Sequence, residues 1–112
     1  MSFNVYLTST FERSAKGLSK KHRSLKSDLM GFIRSLEANP IQGDEIAPGV
    51  RKIRMAITSK GRGKSAGARV ITYTILVSEQ EGDVYLLDIY DKSEFTTVDE
   101  TVLKAIIKDL GL

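Results

Sequence analysis

The sequence contains no cysteine and a single histidine, and these two shortages exclude several kinds of site. Without cysteine there is no disulfide framework and no thiolate metal site. With His22 as its one imidazole, the chain also lacks the ligands that zinc and haem sites usually require. We therefore predict no metal and no cofactor, and a chain without disulfides suits the cytoplasm.

Long apolar runs are also missing. No run approaches the roughly 18 residues that suggest a membrane span, and residues 1–10 lack the basic and apolar segments of a secretory signal. We therefore expect a cytoplasmic protein with no membrane association. The apolar share of 41% and the charged share of 28% are close to globular averages, so we predict one folded domain over residues 1–112.

Acidic residues are absent from one long stretch of the chain. The formal net charge is only +3, but there is no Asp or Glu between Val50 and Ser78. A basic block of this kind is typical of a surface that binds a polyanion. The cations of the stretch are Arg51, Lys52, Arg54, Lys60, Arg62, Lys64 and Arg69.

Two helices are predicted after a short first strand. Alternating apolar residues over 3–7 predict the strand, and Ser9 with Glu12 has the spacing of a capping box that begins a helix reaching about Lys21. An apolar stripe at helical spacing over residues 25–36 predicts a second helix, which Asn39-Pro40 ends. The two helices are expected to form a hairpin.

Three strands are predicted in the middle of the chain. Residues 43–49 contain glycine and proline and are predicted to form a loop, and alternation over 53–57 predicts the strand after it. A glycine-rich link over residues 59–67 leads to strands over 68–77 and 84–90. Short connections between successive strands predict an antiparallel meander.

A last helix completes the predicted order. Thr97 and Glu100 form a second capping box, apolar residues follow at helical spacing, and Gly111 stands where a C-cap belongs. The predicted fold class is therefore α+β, with a small antiparallel β-sheet packed against an N-terminal helical hairpin and a C-terminal helix. The predicted order is β-α-α-β-β-β-α.

Basic residues of two neighbouring strands are predicted to converge. Lys52 and Arg54 are two positions apart, so both project to one face, and Arg69 opens the strand that pairs beside them. Because cations without carboxylates repel one another, this cluster fits an anion site. A solvated basic face fits the residues equally well, so the alternatives stay open.

The link over residues 59–67 allows three interpretations. Gly63-Lys64-Ser65 is similar to the end of a phosphate-binding P-loop, but Thr58 replaces the required first glycine and a strand follows instead of a helix. We favour a mobile hairpin tip whose glycines approach a sugar-phosphate backbone while Lys60, Arg62 and Lys64 neutralise it. A merely soluble loop is the alternative.

Other chemically active side chains support weaker hypotheses. Asp88 and Asp91 face opposite sides of a continuing strand, which weakens a magnesium site with Glu94 and favours pairing with nearby cations. Tyr73 and Tyr85 are expected to pack in the core rather than to stack on bases. For Tyr90, at a strand end, both roles remain possible. His22 lies among cations and is expected at the surface.

Three runs of the sequence carry a family resemblance. They are RKIRMA over residues 51–56, KGRGKSAGARVITY over 60–73 and YLLDIYDKSE over 85–94. Together with the helical hairpin, they resemble the HigB-like branch of the RelE/ParE toxins over nearly the whole chain. The resemblance implies a type II toxin that cleaves mRNA in the ribosomal A site and contacts ribosomal RNA. It also implies a cognate antitoxin protein. Operator DNA would be bound only by the complex with this antitoxin.

The resemblance also assigns roles by position. Lys52 and Arg54 match the basic pair that RelE-type toxins have on this strand, and Arg69 matches the arginine of their following strand. Lys92 matches the lysine at the end of their third strand. Ser93 stands where RelE has another arginine, and the last helix has no tyrosine, so Tyr90 becomes the candidate phenol. The further cations predicted to bind RNA or the ribosome are Arg51, Lys60, Arg62 and Lys64.

The chemistry that this family implies is compatible with the residues. Attack by a ribose 2′-hydroxyl on the adjacent phosphorus requires a proton acceptor, a proton donor and positive charge, and does not require a metal. Lys52 or Lys92, beside the two arginines, is the candidate general base. Arg54 and Arg69 are the candidate clamps on the phosphate.

Two other functions suit the same scaffold. A ParE-like protein would inhibit DNA gyrase by binding, without catalysis, because one fold supports several functions. A degenerate toxin would form a complex with its antitoxin, bind operator DNA and be harmless when expressed alone. In each case we expect the antitoxin to wrap the basic face or the outer helices.

Overall fold

A computed structural model describes residues 3–61, 63–94 and 99–111. Within these ranges the chain has three helices and a five-stranded mixed sheet, so the predicted α+β class is confirmed. The strands are β1 (Phe3–Leu7), β2 (Asp44–Ala47), β3 (Val50–Met55), β4 (Ala68–Leu76) and β5 (Gly82–Asp91). The helices are α1 (Ser9–Lys21), α2 (Leu25–Ala38) and α3 (Glu100–Asp109).

The sheet has the strand order β1-β5-β4-β3-β2. Strands β2 to β5 pair antiparallel, as the predicted meander requires, but β1 pairs parallel to β5, with Phe3 opposite Gly82. The prediction of a purely antiparallel sheet was therefore wrong at this edge. Both helices of the hairpin and three strands separate β1 from β5 in sequence, which supplies the long connection that a parallel pair needs.

Strand β2 occupies part of the predicted loop over residues 43–49. The order of elements among the described residues is therefore β-α-α-β-β-β-β-α, with one strand more than predicted. All residues of β2 are exposed, and Asp44 and Glu45 have low strand propensity, so no apolar alternation indicated it. Its pairing with β3 depends on backbone hydrogen bonds at the sheet edge, with an irregularity between Glu45 and Ala47.

The two faces of the sheet bury separate apolar clusters. Helices α1 and α2 cover one face, where Phe11, Leu25 and Leu36 pack with strand residues such as Val70. Helix α3 covers the other face, where Leu103 and Ile106 belong to a second cluster. The strand residues of this second cluster are Val50, Ile71, Leu87 and Tyr90, and the partly buried Tyr73 and Tyr85 pack against it. The expected packing of Tyr73 and Tyr85 is thus confirmed.

The helix ends follow the sequence signals with small shifts. Thr8, rather than Ser9, caps α1 by accepting from the Phe11 backbone N–H at 3.1 Å. The Thr8 hydroxyl also donates to the Leu86 carbonyl at 2.8 Å, so its sheet contact fixes it as the cap. Helix α2 ends at Ala38, as the following Asn39-Pro40 predicted.

The cap of the last helix is Asp99 rather than the predicted Thr97. The N-cap of α3 is Asp99, which accepts from the Thr101 backbone N–H at 2.8 Å, whereas the predicted cap Thr97 lies outside the described residues. Gly111 has a φ of 72°, in the left-handed region expected of a helix-ending glycine. Within the described part of the chain, no helix has both the length and the apolarity that crossing a membrane requires.

Gly67 allows β3 and β4 to approach each other at the end of the link. A Cβ atom there would overlap the Met55 carbonyl oxygen, so the two strands would have to separate. We expect Gly67→Ala to lower the free energy of unfolding by about 1–3 kcal/mol, as overpacking does. Urea denaturation measures the change.

Gly31→Ala is the matched control for this substitution. Gly31 lies inside α2, and a Cβ atom there would have no neighbour within 4 Å. Because glycine is a poor helix former, we expect the control to gain about 0.5–1 kcal/mol. A Gly67→Ala protein as stable as the wild type would contradict the close approach.

Candidate functional site

One row of side chains crosses three strands on the face that α3 covers. Arg54 on β3 stands opposite Arg69 on β4, and Arg69 stands opposite Tyr90 on β5. Residues directly opposite in antiparallel strands project to the same face, and Tyr90 belongs to the α3-side cluster. We call these three residues the Arg54–Arg69–Tyr90 row. The structure thus brings together three of the residues that the sequence suggested for catalysis.

Arg69 is the buried centre of the row. Only 5% of the residue is exposed, and its guanidinium donates to the carbonyl oxygens of Lys64, Ser65 and Ala68 at 3.0–3.3 Å. Among the described residues, no carboxylate forms an ion pair with it. In the described part of the chain, this buried cation thus has neutral carbonyl acceptors and no carboxylate.

The electrostatics of Arg69 favour an anion beside it. Burial, and then the neighbouring charge of Arg54, lower the pKa of the Arg69 guanidinium, while Tyr90 opposes the shift. Both lowering effects destabilise the charged form, because desolvation and a like charge each disfavour a cation. A bound anion would offset both effects.

Arg54 and Lys52 extend the basic character along β3. Arg54 is exposed, Lys52 is half-buried, and neither pairs with a carboxylate of the described residues. Asp44 on β2 nevertheless stands opposite Lys52 in the strand register. The expectation of cations without an acidic neighbour therefore needs a correction at Lys52, because strand β2 was not foreseen.

Tyr90 completes the row with a phenol. The residue is 7% exposed, and burial raises the pKa of its hydroxyl. Arg69 lowers this pKa and Asp88 raises it further, with a net upward shift. The hydroxyl is therefore protonated near neutral pH, which suits a proton donor rather than a general base.

Lys92 lies just beyond the row. It begins the turn after β5, is half-buried, and its backbone N–H donates to the Gly67 carbonyl at 3.0 Å. This bond ties the end of β5 to the end of the link. Lys92 thus stands two residues after Tyr90, at the edge of the site.

The cations predicted to bind RNA are placed differently from one another. Lys64 is exposed, as expected. Arg51 lies next to Lys52 and so on the other face of β3, where its guanidinium donates to the carbonyls of Gln42 and Gly43 at 2.7 and 3.1 Å. Arg62 lies outside the described residues.

Lys60 is an internal anchor instead of a free cation at a mobile tip. Its ammonium donates to the Asp91 carboxylate at 2.8 Å and to the Ala66 carbonyl at 2.7 Å. The described part of the link forms two short 3₁₀ turns, Thr58–Lys60 and Lys64–Ala66. Two interactions therefore attach the link to the sheet. Lys60 of the link pairs with Asp91, and Arg69 on β4 donates to the carbonyl oxygens of Lys64 and Ser65 in the link.

Asp91 is the other buried charge at this end of the sheet, and the sequence indicated that it pairs with cations but not which ones. It is 3% exposed and accepts from Lys60, from His22 Nε2 at 3.0 Å, and from the Ser93 backbone N–H and hydroxyl at 2.9 and 2.8 Å. Burial by itself raises the pKa of Asp91, but hydrogen bonds from Lys60, Ser93 and His22 outweigh it and hold the pKa well below its usual range.

The remaining polar predictions have mixed outcomes. The expected pairing of acids with cations is confirmed for Asp91 and for Glu94, which accepts from Lys21 at 2.8 Å. Asp88 instead accepts from the Ser14 hydroxyl at 2.7 Å. The expectation of a surface His22 was wrong, since its side chain is 16% exposed and bound to Asp91.

Two apolar concavities lie away from the row. One, of about 260 Å³, is enclosed by the β2–β3 connection, Tyr73 and α3. The other is a groove of about 280 Å³ between α1 and α2, lined by residues such as Leu29 and Met30 and edged by Lys16 and Lys26. Within the described ranges, no three His, Asp or Glu side chains are grouped so that they could hold a metal ion.

Asp91→Asn tests the buried ion pair. Removing the charge leaves Lys60 half-buried without its counter-ion, so we expect a loss of about 3 kcal/mol or more in the free energy of unfolding at neutral pH. Urea denaturation measures it. Asp109→Asn, at an exposed position in α3, is the control and should stay within about 0.5 kcal/mol of the wild type.

The same pair predicts a dependence on pH. Because the folded-state pKa of Asp91 is lowered, its stabilisation is complete above the unfolded value and is lost as the pH falls from about 4 towards the folded value. Asp91→Asn should therefore lose less stability than the wild type over that range. Equal acid sensitivity in the two proteins would contradict the ion pair.

No family model matches the chain. The function is therefore inferred from the geometry described above.

Proposed function

We propose that this protein is the toxin of a type II toxin–antitoxin system, of the HigB-like RelE type, that cleaves mRNA in the ribosomal A site. The observation that carries the proposal is the environment of Arg69. A buried guanidinium, next to a second arginine and a phenol and surrounded by neutral acceptors, fits a phosphate group. A merely solvated basic face does not account for a buried arginine.

In the proposed reaction, each member of the row has a role. Arg54 and Arg69 hold the non-bridging oxygens of the scissile phosphate and stabilise the negative charge that develops on them. The ribose 2′-oxygen attacks phosphorus, and the bond from phosphorus to the 5′-oxygen breaks. The products are a 2′,3′-cyclic phosphate and a 5′-hydroxyl.

Proton transfers complete the balance of this step. Tyr90, protonated because burial raises its pKa, donates a proton to the leaving 5′-oxygen. Lys52 or Lys92, as the neutral amine, accepts the proton of the 2′-hydroxyl and becomes an ammonium. Lys52 shares the face of the row and Lys92 follows Tyr90 by two residues, so both are candidates for the base.

A partner antitoxin belongs to the same proposal. The groove between α1 and α2 is mostly apolar, and its charged lining residues are Lys16, Lys26 and Glu12, which leaves an excess of positive charge. An amphipathic helix with acidic flanks would match both its apolar floor and its charge. We place the protein in the cytoplasm, with ribosomal RNA as a further contact and operator DNA reached through the antitoxin complex.

Arg54→Gln and Tyr90→Phe test the row with little disturbance of the fold. Arg54 is exposed, and phenylalanine keeps the ring of Tyr90 while removing its proton donor. We expect each variant to relieve growth arrest and to slow cleavage by about 10²-fold or more, as the loss of one charge-stabilising or proton-donating group does. Mapping the 5′ ends of mRNA after brief induction, and in purified reactions with and without ribosomes, measures the effect.

Two substitutions outside the row serve as matched controls. Tyr85→Phe removes a phenol from the same strand, and Lys108→Gln removes an exposed charge from α3; both should keep full activity. Undiminished cleavage by Arg54→Gln and Tyr90→Phe would reject the assigned roles. DNA double-strand breaks with intact transcripts would instead identify a gyrase inhibitor, and harmless wild-type expression would identify a degenerate toxin.

A further inference from the structure

A cation-lined concavity lies at the same end of the sheet as the row, on the opposite face. Asp91 follows Tyr90 on β5, so its side chain points away from the row, and there it meets His22. Around His22 opens a cavity of about 400 Å³. Its lining residues in the described ranges are Ser19, Lys20, Lys21, His22, Arg23 and Ser59, none of which carries a carboxylate.

The walls of this cavity are held together by hydrogen bonds. The Ser59 backbone N–H donates to the Ser24 hydroxyl at 2.8 Å, and Thr58 donates to Asp28 through its backbone and its hydroxyl at 2.9 and 2.6 Å. The bond from His22 to Asp91 fixes the third side. The turn between α1 and α2, the link and the end of β5 therefore form one preorganised concavity.

Two of the cations in the cavity lining have no ion pair within the described chain. Lys20 and Arg23 are exposed, and neither pairs with a described carboxylate. Lys21 pairs with Glu94, but its side chain is 60% exposed, and exposed pairs of this kind contribute little. Asp91, the nearest buried acid, already accepts from Lys60 and Ser93 as well as from His22.

We propose that this cavity binds a backbone phosphate of the RNA, away from the bond that is cut. Ammonium, guanidinium and hydroxyl groups are the donors that phosphate oxygens accept from, and here they line one open concavity. The cavity and the row lie on opposite faces of one sheet end. A single strand that passes around this end contacts both, so the cavity would position the RNA for the row.

This inference rests on the proposed function for the identity of the polyanion, and its test separates binding from cleavage. The probe is a short single-stranded oligonucleotide without 2′-hydroxyls, which the proposed reaction cannot cut. His22 is the one histidine of the chain, so its ring protons give an isolated signal in ¹H NMR spectra. We expect this signal to shift on titration with the probe.

Lys20→Gln/Arg23→Gln is the decisive variant. Both side chains are exposed, so the fold should survive, which an unchanged urea midpoint checks. We expect weaker binding, a smaller His22 shift, and a salt dependence shallower by about 0.7 per lost phosphate contact in the slope of log K against log salt concentration. Lys104→Gln/Lys108→Gln, with the same charge loss on α3, should retain the wild-type His22 shift and bind more tightly than the cavity variant.

The outcomes separate the two proposals. If the double variant binds the probe with the wild-type slope and His22 shift, the cavity is not a phosphate site, whether or not the wild type cleaves mRNA. A His22 shift with inorganic phosphate but not with the oligonucleotide also overturns an RNA backbone site. If the probe moves His22 in the wild type and not in the variant, the cavity site stands even where cleavage fails.

Discussion

The structure depends on how two buried charges of opposite sign are kept apart. Arg69 and Asp91 lie at the same end of the sheet, at neighbouring register positions, where a direct ion pair would neutralise both. Strand alternation prevents this, because Tyr90 projects to the face of Arg69 and Asp91 projects to the other. Asp91 is bound by Lys60, His22 and Ser93, and among the described residues no carboxylate pairs with Arg69, whose guanidinium donates to carbonyl oxygens.

The link between β3 and β4 makes hydrogen bonds on both faces of the sheet. Lys60 attaches it to Asp91 on one side, and Arg69 attaches its second 3₁₀ turn on the other through the carbonyls of Lys64 and Ser65. Ser59 is held by Ser24 at the turn between the first two helices. The described residues of the link, which its glycines and cations suggested to be a mobile tip, thus make hydrogen bonds both on the side of the row and on the side of the cavity around His22.

Local sequence patterns predicted the features that depend on neighbouring residues. The spacing of Lys52 and Arg54 placed both on one face, and Asn39-Pro40 ended α2 where predicted. The sequence did not predict strand β2, because backbone atoms make its pairing. It did not predict the parallel pairing of β1, because the partner strand β5 lies far along the chain. The contacts of Asp91 with His22 and Lys60 span 69 and 31 residues, distances over which periodicity carries no information.

The most direct test of a phosphate site at Arg69 observes the guanidinium groups themselves. Nitrogen-resolved NMR spectra of the arginine Nε–H groups, recorded during titration with an uncleavable single-stranded oligonucleotide, separate the row from the rest of the surface. We predict shifts for Arg54 and Arg69, and none for Arg51, whose Nε–H is bound to Gln42 on the other face. Binding of the oligonucleotide with Arg54 and Arg69 unchanged would contradict a phosphate site in the row.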